Sequence, residues 1–244
     1  MSTAKDQALE VWGELGCFSN PMTKVERHSY PVITPSAARG IFDAIYVKPR
    51  EFRWQIDRIE VLAPPRYIAL RRNEVKDKLS VNKAAQWMHG KAEPEPLWAD
   101  GDKKLLDTDT KGRTQRQTMA LCGLRYRIHA HVVPWPGFEP KLAAFEAQFR
   151  RRAGRGQCFF QPYLGCREFP AYFELLPPGG AGGGPIAWDQ DLGLVLYDVF
   201  DLSRPGDAHS RPYITLFRAR VEGGVVEVPP FESPSVIKPE VGHA

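Results

Sequence analysis

Several groups of residues in this 244-residue chain carry chemistry by type and spacing. In SYPVITPSAARGIFDAIY (Ser29–Tyr46), Thr34 is placed to N-cap a helix and Pro35 to take its first position, where a missing N–H costs nothing. Ser36, Ala37, Ala38 and Gly40 keep the first turns small, and free N–H groups there, with Arg39 nearby, suit a phosphate. Further on, Arg125, Arg127, His129 and His131 alternate with Leu124, Tyr126, Ile128, Ala130 and Val132, so one face of a strand carries two arginines and two histidines. Such a face must meet solvent or an anion. Arg150, Arg151 and Arg152 end a helix, where their charge complements the dipole. Asp107 and Asp109 read as loop decoration, and no carboxylate–metal cluster is legible. Cys17, Cys122, Cys158 and Cys166 form no C-x-x-C pair, so reduced thiols are expected and zinc is not.

The elements that hold these groups alternate between strands and helices. A strand is expected over 8–15, with Leu9, Val11 and Gly13 on one face, then the helix with apolar stripe Ala37, Ile41, Ala44 and Ile45. Lys48-Pro49 ends that helix near Tyr46. A strand at Trp54–Leu62 sets Trp54, Ile56 and Arg58 on one face and Gln55, Asp57 and Ile59 on the other, and a shorter one follows at Tyr67–Arg71. Residues 73–115 read as a long polar insertion with a single helix near Val81–His89. Beyond the Arg/His strand come a helix at Pro140–Arg152 and a strand at Phe169–Leu176. PPGGAGGGP (177–185) is a linker, followed by a strand at Leu192–Val199 and a hairpin turning on Gly223-Gly224. The tail after Pro229 is expected to be extended. The order is that of an α+β, ferredoxin-like (RRM-like) βαββαβ domain over 1–176, with a small antiparallel β extension over 186–244.

Charge is divided along the chain. Residues 1–155 hold 27 Lys and Arg against 18 Asp and Glu, whereas residues 156–244 hold 6 against 11. The basic first part points to a polyanionic partner. No apolar run approaches the roughly 18–20 residues that cross a bilayer, and MSTAKDQALEVWGEL lacks the apolar core of a signal peptide. A cytoplasmic protein without a membrane partner is expected.

Several separate stretches, in order, resemble one family. They are MTKVER with Ser29-Tyr30, PSAARGIFDAIYVKP, RWQIDRIEVL, RRNEV, RTQRQTMALCGLRYRI and GQCFFQPYLGCREFPAYFEL. The resemblance, strong over about 8–176, is to the CRISPR-associated RAMP-superfamily proteins of type I-C systems, the Cas-five family of d (or c) subtype. It implies a ferredoxin-like domain with a C-terminal β-sheet. The activity it implies is cofactor-free, metal-independent cleavage of precursor CRISPR RNA at the base of the repeat hairpin. The 5′ handle would then be kept within the Cascade surveillance complex. Implied partners are the Cascade backbone and large subunits and, beside the PAM, target DNA. The alternative is a non-catalytic subunit that binds the handle and helps read the PAM.

The chemistry so implied has the 2′-OH attack the adjacent phosphorus, leaving a 2′,3′-cyclic phosphate and a free 5′-OH. It requires a proton acceptor, a proton donor and positive charge at the phosphorane. The family's triad is a tyrosine ending the first helix and an adjacent Lys-His pair before the third strand. Tyr46 matches the tyrosine, while the pair falls on Arg116 and Gln117. Arginine can replace lysine as the cation, but glutamine cannot shuttle a proton. His28, His129 and His131 are substitutes by type. RNA contacts are expected from Lys24, Arg27, Ser36, Arg39, Arg113 and Gln115. Arg71, Arg72, Asn73, Gln157 and Arg167 are further candidates. Phe18, Tyr30 and Trp98 are aromatic residues of a kind that stacks on bases, though packing is the better account of each.

Overall fold

Helix α1 (Pro35–Ile45) begins where its cap dictates: the Thr34 hydroxyl accepts from the Ala37 N–H at 3.3 Å, and Pro35 opens the first turn. Its buried stripe is Pro35, Ala38, Ile41, Phe42, Ala44 and Ile45, so Ala38 and Phe42, rather than Ala37, meet the core. Tyr46 ends the helix in extended conformation, and the ring of Pro49 disfavours any return to helix at Lys48.

A computed structural model describes residues 4–23, 25–97, 103–107, 111–177, 183–206 and 211–239. The chain forms two units, one of Met1–Ile68 with Met119–Ala244, the other of Ala69–Thr118. The larger unit is built on β1 (Gln7–Gly16), β3 (Phe52–Val61), β5 (Arg113–Pro134, from Met119 onward), β6 (Tyr172–Leu175) and β9 (Val225–Glu227), in the order β6-β1-β5-β3-β9. The short β2 (Arg27–His28) also pairs with β5, and the pairings among β1, β3, β5, β6 and β9 are antiparallel. Helices α1 and α4 (Leu142–Ala153) cover one face, where Trp54 meets Phe42 at 5.0 Å and Phe149 at 4.6 Å between ring centres.

The parity expected for β3 holds only as far as Ile56. A bulge between Ile56 and Arg58 shifts the register against β5, so Ile59 and Val61 return to the core face. Arg58 is thereby moved off the face it was expected to share with Trp54 and Ile56. On β5 the Arg/His face meets anions supplied by the protein itself. Arg125 Nε donates to Glu10 at 2.6 Å and Arg127 Nη1 to Glu60 at 2.7 Å. His129 lies between Asp6 (2.9 Å from Nδ1) and Glu60 (3.1 Å from Nε2), and His131 Nδ1 is 2.7 Å from Asp57. The His129 contact holds the Asp6 carboxyl below the usual carboxylate range.

The C-terminal segment belongs to the same unit. β7 (Gln190–Asp198), β8 (Thr215–Val221) and β10 (Val236–Ile237) form a second sheet in the order β10-β8-β7. The Gly223-Gly224 turn, with both glycines at positive φ, redirects the chain so that β9 joins the edge of β3. The tail is anchored by Phe231, buried against Tyr197, and by β10.

Arg39 ties α1 to this sheet. Its Nε and Nη2 donate to the two oxygens of Asp198 at 2.7 and 3.0 Å, and Nη1 donates to Asp43 at 2.5 Å. Burial outweighs Arg39's attraction and pushes the Asp43 carboxyl up to about 6. The folded chain therefore binds that proton more tightly than the unfolded chain does. The resulting stabilisation is complete below about pH 4 and is lost as pH rises through about 6. Asp43→Asn should remove this dependence, gaining on wild type by up to about 3 kcal/mol between pH 4 and pH 7. Urea unfolding of both proteins at the two pH values measures it.

In the smaller unit, β4 (Tyr67–Val75, from Ala69 onward) runs against the first residues of β5, with α2 (Val81–Met88) and α3 (Lys103–Leu106) between them in sequence. Lys76 N–H donates to Gly112 C=O at 2.7 Å, and Gly112 N–H to Asp77 at 2.8 Å. The margins of the stretch expected to be a loop are thus strands. Among the described residues no helix is long and apolar enough to cross a membrane.

Candidate active site around Tyr46

Tyr46 stands where α1 stops, with its ring 5.5 Å from that of Phe52 and its carbonyl accepting from Trp54 Nε1 at 2.9 Å. The residue is only 7% exposed, yet its hydroxyl has no hydrogen-bond partner among the described residues and is not among the atoms sealed from solvent. The phenol oxygen is therefore not fully sealed, although the ring is buried. Burial holds the phenol above its ordinary range, against the pull of Lys48 and Arg152, while Glu51 pushes in the same direction as burial. Near neutral pH the phenol carries its proton, a state suited to donation.

The end of α1 that carries Tyr46 is met by residues both near and distant in sequence. Lys48 donates to Glu51 at 3.0 Å. The loop after α4 folds back over the end of α1: Phe159 N–H donates to Ala44 C=O at 2.7 Å, and Arg152 Nε donates to Ile45 C=O at 2.6 Å. Gln157, one of the RNA candidates, donates its N–H to Arg152 C=O at 2.9 Å and so joins this neighbourhood.

The other candidates are distributed. Ser36 is half-buried in the first turn of α1, and Arg39 is engaged by Asp198 and Asp43. Arg27 Nη1 lies 3.5 Å from Glu168 and 3.8 Å from Cys166 Sγ, beside exposed Arg167. Arg71, Arg72, Asn73, Arg113, Gln115, Arg116 and Gln117 belong to the smaller unit. There Arg113, Gln115 and Gln117 share the exposed face of β5, whereas Arg116 is half-buried on the opposite one. Arg72 Nη2 donates to Thr118 Oγ1 at 3.1 Å. Lys24, Trp98 and Asp109 lie outside the described residues. Phe18 and Tyr30 are buried packing residues.

None of the substitute histidines is shown at Tyr46. His129 and His131 occupy the sheet face opposite Ile128, Ala130 and Val132, and Val132 pairs with Trp54 on the helix-covered side. The sheet stands between them and α1. His28 Nδ1 is 3.1 Å from Ser29 O, and its ring lies 5.5 Å from Tyr67.

The sequence model of the CRISPR-associated protein family Cas5, in its Cas5d form, matches residues 8–229. The chain belongs to the Cas5 family. Among Cas5d relatives, the CRISPR pre-crRNA endoribonuclease Cas5d of Mannheimia succiniciproducens is 38% identical over 234 residues, covering 93% of this chain and 96% of that protein. The protein of the same name from Thermus thermophilus is 38% identical over 248 residues, with 97% and 96% covered. A crystal structure of a CRISPR-associated protein shares the fold, with a TM-score of 0.60 over 97% of this chain and 98% of that one at 19% identity. In this Cas5 chain, the residues that escape sequence reasoning are Lys48 and Arg152. In sequence Arg152 reads, with Arg150 and Arg151, as a complement to the helix dipole. Its partners, Ile45 and Phe159, are set by the fold, and only the match of a basic helix end to a Gly-rich return loop hints at them.

Proposed function

We propose that this chain is an endoribonuclease that cuts precursor CRISPR RNA at the base of the repeat hairpin and remains on the 5′ handle. The observation that carries the reading is the 38% identity, over nearly the whole length of both chains, to two relatives named pre-crRNA endoribonucleases. In the proposed reaction the 2′-oxygen forms a bond to phosphorus, its proton passes to an acceptor, and the bond to the 5′-oxygen breaks as that oxygen takes a proton. Tyr46, protonated and with its oxygen not fully sealed, is the donor to the leaving oxygen. Arg116 supplies charge to the phosphorane, Gln117 orients without moving a proton, and the ferredoxin-like reading rests on the β6-β1-β5-β3 order. Lys24, Arg27, Ser36, Arg39, Arg113, Gln115 and Gln157 hold the handle, assisted by Arg71, Arg72, Asn73 and Arg167. The Cascade backbone and large subunits, and target DNA beside the PAM, complete the assembly in the cytoplasm.

Gln117 favours a second reading, a subunit that holds the handle without cutting it. Incubating the purified protein with its repeat RNA in EDTA, followed by end-group analysis, separates the two. A single cut leaving a cyclic phosphate is expected. Tight binding without a cut would establish the second reading.

A further inference from the structure

Arg152 is oriented by the end of α1 and by its return loop, with part of its guanidinium left over. Its Nε is fixed to the carbonyl of Ile45, one peptide bond from Tyr46, and its guanidinium lies 4.2 Å from the centre of the Phe159 ring. Phe159 is in turn pinned to Ala44, so one edge and one face of the guanidinium are set by α1 and its return loop. Both Nη groups lack a partner among the described residues, and neither is sealed from solvent. Among those residues no carboxylate forms an ion pair with Arg152, in contrast to Arg39, Arg53, Arg58, Arg125 and Arg127. Its neighbour Arg150 is spent on Gln7 (2.8 Å) and Asp6 C=O (3.5 Å). An oriented guanidinium with two open N–H groups has the form that forks onto a phosphate.

We propose that Arg152 is a catalytic residue of this site, binding the scissile phosphate of the repeat RNA through its Nη groups beside the Tyr46 hydroxyl. This rests on the reading of Tyr46 as the centre of cleavage. The open Nη groups hold a non-bridging phosphate oxygen, place the 5′-oxygen near the phenol, and balance the charge that grows on the phosphorane. Lys48, restrained by Glu51, is a second positive charge whose field, like that of Arg152, is felt at the Tyr46 phenol. Arg151 is exposed and serves as a charge-matched comparison.

The test is a binding scan with repeat RNA made uncleavable by 2′-deoxy substitution and carrying a neutral methylphosphonate at one linkage at a time around the hairpin base. It is run on wild type, Arg152→Gln, Arg152→Met, Arg151→Gln and Tyr46→Phe. The Met variant keeps a long side chain on the Phe159 ring should the Gln variant fold poorly. At one linkage, wild type, Arg151→Gln and Tyr46→Phe should each lose about tenfold in affinity, while the Arg152 variants lose nothing further. End-group mapping of the all-ribose RNA should show that this linkage is the one cut. An Arg152 profile equal to wild type, or a coupled linkage away from the cut, overturns the proposal even if the variants cleave slowly. Tyr46→Phe cutting at the wild-type rate would remove the Tyr46 reading alone, and the scan would still decide whether Arg152 holds the phosphate.

Discussion

Tyr46→Phe is expected to slow cleavage of the repeat RNA by about 10²–10⁴-fold while leaving handle binding within about three-fold. The substitution removes one oxygen. That oxygen makes no hydrogen bond within the described protein, so no internal partner is orphaned by its loss. The ring contact with Phe52 and the bond from Trp54 to the Tyr46 carbonyl survive. Thermal unfolding should therefore be nearly unchanged, and the loss should appear in the single-turnover rate. A variant that cuts as fast as wild type would transfer the proton-donating role to another group.

Arg39→Met is expected to lower stability by about 3–5 kcal/mol at pH 7, read as the urea unfolding free energy. The guanidinium neutralises Asp198, whose side chain is 2% exposed, and Asp43 within the same pocket of charge. Its removal leaves the buried Asp198 and the partly exposed Asp43 without the cation they share. The Asp43 carboxyl, already pushed up to about 6, would respond by taking a proton, so the deficit should shrink below that pH. An Arg39→Met protein as stable as wild type at pH 7 would mean that solvent reaches Asp198 and replaces the arginine. Arg39 is also among the RNA contacts expected from sequence. Handle affinity measured on the folded variant weighs that role separately from its service to the fold.

Local signals make much of the architecture legible. Thr34-Pro35, Lys48-Pro49 and Gly223-Gly224 are short-range instructions, and the helix and the turn they specify stand where those residues put them. The expected hairpin does not extend beyond that turn, because β8 pairs with β7 and β10 while β9 pairs with β3. The Asp57 bulge is not legible, because alternation in FRWQIDRIEV gives no sign that one residue will be left out of register. Nor can the Arg/His face of β5 be assigned from its own strand. Its counterions, Asp6, Glu10, Asp57 and Glu60, arrive from other segments and appear only when the sheet forms. The same holds at the candidate site. Tyr46 is reached through family resemblance, whereas Arg152 becomes visible only when the loop ending at Phe159 closes on α1. Arg116 and Gln117, adjacent in sequence, show opposite exposure on one strand, a consequence of the two-residue period that a motif does not display.

The placement of β9 bears on how the chain comes into being. β3 is flanked by β5 on one side and by Val225–Glu227 on the other, and the latter residues leave the ribosome late. Until then β3 presents an unpaired edge, the kind of surface on which nascent chains associate wrongly. β1 likewise waits for the far end of β5, so the sheet is dominated by pairings distant in sequence, a topology that folds slowly. Completion of the sheet thus comes long after β3 itself is made, and the Gly223-Gly224 turn, by delivering the closing strand, ends the interval in which that edge of β3 lies unpaired.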